Sequence, residues 1–145
     1  VEAYPDGTLI YQNRFYKELF YETDVNKINP PKNGLVLDIN NLDRQLPEII
    51  TELGLSETEG NEFLDFWLPG LKNLDSPYLL FSVLDQAEKD RTDKIEISPE
   101  PDTFISFIAY FKPLNAPISI PPLLIPERPK RVGFTAVEWG GVIDR

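Results

Sequence analysis

Residues 103–111, Thr-Phe-Ile-Ser-Phe-Ile-Ala-Tyr-Phe, restrict the fold more than any other stretch of the chain. With the two-residue period of a strand, Ile105, Phe107, Ala109 and Phe111 point one way, and Phe104, Ile108 and Tyr110 the other. Neither face can be left in water. Such a run is a central strand covered on both sides, and the rest of the sequence must supply the covers.

Candidate neighbours are present. Tyr78 to Leu84 is a continuous apolar run after the turn Asp75-Ser76-Pro77, Lys94 to Ser98 alternates with Ile95 and Ile97 inward, and Leu35-Val36-Leu37 is a short strand. Two helices form a covering layer. Leu42, Leu46, Ile49, Ile50 and Leu53 share one helical face, with Asn40 or Asn41 as cap and Gly54 as terminator. Pro47 fits only if that helix begins near Leu46. Ser56-Glu57-Thr58-Glu59 is a capping box opening a second helix with the stripe Phe63, Leu64, Trp67 and Leu68, and Pro69-Gly70 is its expected stop. The charged stretch 85–93 is a helical turn or an exposed loop. Residues 4–22 read as a hairpin with turns at Pro5-Asp6-Gly7 and Gln12-Asn13, and its aromatics (Tyr11, Phe15, Tyr16, Phe20 and Tyr21) as a core wall. A polar loop over 23–34, closed by Pro30-Pro31-Lys32-Asn33-Gly34, follows it.

Beyond residue 111 the texture changes. Pro113, Pro117, Pro121, Pro122, Pro126 and Pro129 interleave with Ile118, Ile120, Leu123, Leu124 and Ile125. Proline at this density excludes helix and central strand, and so much Ile and Leu is unlike a solvated linker. The segment is expected to cross a surface. After it, 131–141 alternates, with Val132, Phe134 and Ala136 on one face and Val137 and Trp139 on the other. The organisation is therefore an α+β core over 1–111, a proline-rich crossing segment over 112–130, and a C-terminal strand and tail over 131–145. The core is an antiparallel sheet with two acidic helices packed on it.

Composition removes whole classes of chemistry. The 145 residues contain no Cys, His or Met, so disulfides, thiol nucleophiles, histidine bases and His- or Cys-ligated metals are outside this chain's means. No apolar run approaches the roughly 18 residues of a membrane helix. The net charge is −10, which repels nucleic acid and anionic lipid. Asp38 to Asp43 superficially resembles a calcium loop but lacks its glycine and distal Glu. No phosphate-binding glycine loop is present, and no cofactor is expected. Beginning at Val1 and holding no Met, the chain is expected to be a processed product or a piece of a longer one. The lack of oxidisable sulfur fits an extracellular or cell-surface location.

Charge is unevenly spread. Residues 38–65 hold eight carboxylates and Arg44, net −7, whereas 126–145 is net +1, so a slightly basic tail faces an acidic body. Val132, Phe134, Val137, Glu138, Trp139, Ile118, Ile120 and Leu124 are the candidate interaction residues. Glu138, flanked by Val137 and Trp139, needs a partner if buried, and Lys17 and Lys112 are its candidates. With an Asn or Asp, the same groups would also suit an autocatalytic amide crosslink. Gly140-Gly141 suggests a bulge or a close backbone approach.

The order Tyr4–Gly7 (YPDG), Phe63–Pro69 (FLDFWLP), Ser98–Thr103 (SPEPDT) and Arg131–Gly141 (R-x-GFT-x-VEWGG) resembles a group of uncharacterised bacterial secreted or surface proteins. That resemblance implies export and no particular chemistry. The leading expectation is a non-catalytic extracellular structural or interaction module that joins copies of itself, or a surface protein partner, by strand addition of its C-terminal segment. The alternative is a carboxylate-dependent enzyme acting on carbohydrate, which requires two facing acids in a cleft.

Overall fold

The computed structural model describes residues 1–145 except 24, 26, 126 and 128, so the expectations for Pro126 and Arg128 lie outside the described residues. The elements run β1 (Glu2–Ala3), β2 (Leu9–Tyr11), β3 (Arg14–Tyr16), β4 (Leu35–Asp38), α1 (Leu42–Glu52), α2 (Glu57–Lys72), β5 (Tyr78–Val83), α3 (Gln86–Thr92), β6 (Thr103–Leu114) and β7 (Thr135–Ile143). The class is α+β. A small antiparallel sheet, β1-β2-β3, precedes a four-stranded sheet in the order β4-β5-β6-β7.

β6 takes the inner position its composition demands, antiparallel to β5 and parallel to β7. Its Ile105, Phe107, Ala109 and Phe111 join Leu42, Leu46, Ile50 and Phe63 of the helices in the main core. Its Tyr110, fully buried, closes on Leu80 and Leu84 on the opposite face, with Ile28, Ile108 and Ile120 against them. Aromatic rings knit the helix side. Phe63 lies 5.9 Å from Phe107 and 5.3 Å from Trp139, and Trp67 lies 5.2 Å from Phe111. The main core thus forms around the residues its periodicities single out.

The helices keep the expected faces but not every boundary. Ser56 and Glu59 form the capping box of α2. Neither proline ends a helix. α1 starts at Leu42 and runs through Pro47, and α2 continues past Pro69-Gly70 to Lys72. The carbonyls that Pro47 and Pro69 leave without an N–H four residues later belong to Asp43 and Asp65, both exposed. Water can satisfy them, and the burial of Ile49, Ile50 and Leu71 offsets the loss. Asn41 stands at the N-cap position of α1 as expected, but its side chain makes no cap bond; Asp38 instead accepts from the Asn40 N–H and holds a 3-10 turn over Ile39–Asn41 ahead of α1.

The antiparallel expectation holds for β4, β5 and β6, and β7 departs from it. β6 spans about 40 Å at ~3.3 Å per residue, and the proline-rich segment can reach ~60 Å at ~3.1 Å per residue. It therefore carries the chain back along the sheet, so β7 starts where β6 starts, with Thr135 opposite Thr103. On the way the segment skirts β4, where the Gly34 N–H donates to the Pro121 carbonyl at 2.9 Å. Ile120 packs on one side of the sheet and Leu123 on the other.

Two further expectations are corrected. Residues 94–98 form no strand. The prolines at 99 and 101 have no N–H for a ladder, and Ile95 and Ile97 instead line a shallow hollow with Phe104. The N-terminal hairpin exists, turning at Gln12 and Asn13 with φ of 49° and 61°, the left-handed pair a two-residue hairpin loop requires. Its aromatics are not a core wall: Tyr11, Phe15, Phe20 and Tyr21 are exposed, Tyr16 is half-buried, and none belongs to either core cluster.

Phe63 joins the helix layer to both β6 and β7 and is fully buried. Phe63→Ala is expected to cost about 3–5 kcal/mol in chemical denaturation, with no change in the described strand order by hydrogen exchange.

Candidate functional site

The candidate residues converge on the closing strand, and local chemistry explains why it sits where it does. Arg131 reaches back to α2, its guanidinium donating to both oxygens of Glu59, at 2.9 and 2.5 Å, and to the Gly54 carbonyl. The tail-to-body attraction is thus satisfied inside one copy. Burial raises the Glu59 pKa, but Arg131 and the Ser56 donors outweigh it and hold the carboxyl below its ordinary range. Gly133 has φ of 55° and lies against Asp102, whose carboxylate accepts the Phe134 N–H at 2.8 Å. Thr103 Oγ accepts from the Val132 N–H and lies 3.1 Å from the Val132 carbonyl. Nine residues of β7 then pair with β6 without a break. Gly140-Gly141 is therefore a close approach rather than a bulge: a Cβ on Gly141 would stand 2.6 Å from Trp67 Cζ2. The closing strand belongs to its own sheet and needs no second copy to pair, which replaces the expectation of a donated strand.

Glu138 is buried, and its partner comes from an element that periodicity does not reveal. Lys89 of α3 donates to Glu138 Oε2 at 2.9 Å, with both side chains less than one-tenth exposed. Ser106 Oγ contacts both groups, and the ammonium lies 5.2 Å from the centre of the Phe104 ring. Lys112 is not the partner. It lies six residues beyond Ser106 on β6, about 20 Å along the strand, and pairs with Asp144. Lys17 makes no ion pair among the described residues. The crosslink expectation therefore loses both of its proposed amines. Lys89 could have been noticed: Asp85-Gln86-Ala87-Glu88 has the spacing of a helix start, and Asp85 does cap α3 by accepting the Glu88 N–H at 2.8 Å.

The other Glu138 oxygen meets Tyr21, whose hydroxyl lies 2.9 Å from Glu138 Oε1 and 2.7 Å from Asp93 Oδ2 and shares its one hydrogen between them. Burial, then the two carboxylates, push the phenol pKa upward, so it stays protonated. Phe20 turns the opposite way, to Phe66 on α2 at 5.9 Å. Further back, Lys17 and Glu18 are near enough to Glu62 of α2 to perturb its carboxyl. Further on, Ile28 lies on the second core and Asn29 donates twice to Glu88, which also pairs with Arg91. Among the described residues, 17–22 thus run from the helix face around the outer edge of β7 and 27–29 lie on the α3 face, together forming a belt.

The eight candidate residues divide between these surroundings. Val137 and Trp139 pack on the main core, Glu138 is in the buried pair, and Ile120 is on the second core. Val132, Phe134, Ile118 and Leu124 are exposed, Leu124 at 71%. Leu124 helps line a groove of about 890 Å³ between α3, the start of β6 and residues 29–33. Of the three acids there, Asp85 caps α3, Glu88 is held by Arg91 and Asn29, and Glu127 is exposed. No cluster of three or more potential metal ligands exists among the described residues.

The two edges of the main sheet differ. At β4 the proline-rich segment lies alongside, contributing residues without an N–H. At β7 the pairing fixes which groups point outward. Phe134 carbonyl and Asp144 N–H both face β6, so even-numbered residues bond inward, and Thr135, Val137, Trp139, Gly141 and Ile143 turn their N–H and C=O outward. None of these outward groups has a hydrogen-bond partner among the described residues. The strand has no proline, no bulge, and one charge, which is buried.

In comparisons with family models, curated proteins and solved structures, nothing matches this chain.

Two predictions follow from the paired charges. Lys89→Ala leaves Glu138 buried without a cation and is expected to cost about 3–5 kcal/mol, whereas Lys89→Met with Glu138→Gln recovers part of that loss in denaturant titrations. The Arg91 guanidinium, with the Asn29 N–H, holds the Glu88 carboxyl at a pKa of about 2, against ~4.3 in an unfolded chain. Its contribution is present above the unfolded value and lost as pH falls through about 2. The melting-temperature gap between the native chain and Glu88→Gln is therefore expected to be widest above pH 5 and to close towards pH 2.

Proposed function

We propose that this chain is a non-catalytic structural or interaction module working outside the cytoplasm, and that it assembles with copies of itself through the outer edge of β7. The observation that carries the reading is that edge: a nine-residue strand whose five outward residues present N–H and C=O groups unpaired among the described residues, with no proline, no bulge and no exposed charge to blunt it. The C-terminal strand then receives a partner strand rather than being donated. The location rests on the absence of Cys and Met from these 145 residues and on the resemblance of Tyr4–Gly7, Phe63–Pro69, Ser98–Thr103 and Arg131–Gly141 to secreted or surface proteins. The carbohydrate-enzyme reading needs two facing free acids, and of the three acids lining the groove Asp85 and Glu88 are already engaged, leaving Glu127 alone.

A second copy suits the edge. Antiparallel pairing centred on Trp139 places Thr135 opposite Ile143 and Val137 opposite Gly141 of the other copy, and a two-fold axis makes the contact self-complementary. Glu138 falls opposite Gly140, so no like charges oppose each other across the seam. Long-range repulsion between copies of net charge −10 acts against association. Sedimentation velocity is therefore expected to show dimer formation that strengthens from 0.01 to 0.15 M salt, as the screening length falls from ~30 to ~8 Å. Thr135→Pro with Ile143→Pro deletes two outward N–H groups and no ladder bond to β6, at the cost of the Ile143 packing on the main core, and is expected to weaken the dimer at least roughly tenfold while the fold survives. Association that the prolines leave unchanged overturns the edge reading, as does its absence under every condition of the series, including with the Tyr21 contact removed.

A further inference from the structure

Resting on that edge reading, we propose that residues 17–22 are a displaceable cover over the outer edge of β7, latched by Tyr21 and Phe20, and that releasing the latch opens the edge to a second copy.

Adjacent side chains grip opposite sides of the strand. Tyr21 reaches Glu138 on the α3 face, and Phe20 reaches Phe66 on the helix face, where Phe66 is 6.3 Å from Trp139. The main chain between them must pass around the outside of β7 beside Glu138 and Trp139, the middle of the outward-facing series. A strand added there would sit ~4.7–4.9 Å from β7, in the space the cover occupies. Cover and partner exclude each other.

The cover is held lightly. No backbone hydrogen bond joins residues 17–22 to β7 among the described residues. Phe20 is 67% and Tyr21 47% exposed, so the latch amounts to one ring contact and one shared hydrogen. The belt is anchored more firmly downstream. Arg91 donates to the Lys27 carbonyl at 2.6 Å, Asn29 makes two bonds to Glu88 at 2.8 Å, and Ile28 packs on the second core. Residues 17–22 can therefore lift from the edge while the face behind them stays closed. Lifting them leaves the Lys89–Glu138 pair intact, so β7 keeps its place in the sheet.

The test is Tyr21→Phe in the full chain, compared with the native chain by sedimentation velocity. The hydroxyl bonds to charged carboxylates, so its loss is expected to tighten dimerisation about tenfold or more. Asp93→Ala, which removes one of the two acceptors and lies outside both core clusters, is expected to act in the same direction by less, and it carries the test if Tyr21→Phe fails to fold. Adding Thr135→Pro and Ile143→Pro to Tyr21→Phe is expected to return the chain to monomer. A native chain that dimerises through the edge, with a constant Tyr21→Phe and Asp93→Ala leave unchanged, overturns the cover and spares the edge reading. Tightening that the prolines do not reverse overturns the cover and sends the contact elsewhere. Monomers throughout, native and variant alike, remove the edge reading and the cover with it.

Discussion

A strand with Ile105, Phe107, Ala109 and Phe111 on one face and Ile108 and Tyr110 on the other has no side to give to water, and the rest of the chain is arranged to close both. The helix side is closed conventionally, by α1 and α2 laying their apolar stripes on the sheet. The second side is closed by segments with no regular structure of their own, which contribute Ile28 and Ile120, and by Lys89 of α3 set against Ser106, Glu138 and Phe104. Irregular chain can cover a sheet only if its polar groups find partners. Here these include Asn29 on Glu88 and the Lys27 carbonyl on Arg91.

The same demand explains why the sheet's edges are treated so differently. The proline-rich segment passes around β4 from one core to the other, and the belt passes around β7 in the same manner. At β4 the passing chain is rich in proline, forms one backbone bridge, and leaves little for another strand to pair with. At β7, among the described residues, it makes side-chain contacts alone and leaves the ladder groups unmet. An edge held only by a phenol and a ring is guarded, not sealed. The buried Lys89–Glu138 pair fits this arrangement. Two desolvated charges contribute little net stability compared with apolar residues of the same size, but they penalise any register of β7 that separates them. They fix the strand whose outer edge is on offer.

Much of this was legible in the residues, for physical reasons that also set the limit. The β6 alternation, the α1 and α2 stripes, the Ser56–Glu59 box and the Gln12-Asn13 turn are local patterns, in which chemistry a few residues apart decides the geometry. Non-local pairing is not so encoded. The parallel course of β7 follows from the length of the proline-rich return path, and no residue in 135–143 states it. Glu138 was recognisable as a carboxylate needing a partner, but Lys89 lies 49 residues away on a seven-residue helix too short to show a clear period. Pro47 and Pro69 mislead because a proline's cost depends on whether the carbonyl it orphans faces water, and that is known only once the exposed face is known. The aromatic hairpin misleads in the opposite sense: its composition suits a core, and Phe15 is nonetheless 76% exposed.

The acidity of the chain acquires a meaning beside this geometry. Carboxylates on α1 and α2 are mostly solvated, so they set a repulsive field between copies that is long in range and sensitive to salt. Backbone pairing at β7 is short in range and insensitive to it. Opposing terms with different reach separate encounter from commitment. In the proposed assembly, two copies would approach reluctantly, and only those that meet edge to edge would gain the hydrogen bonds that hold them. The proposed latch adds a second condition, since it would have to yield before those bonds could form. A module built that way would resist indiscriminate association, because charge would act on every approach and the cover on the one approach that charge lets through.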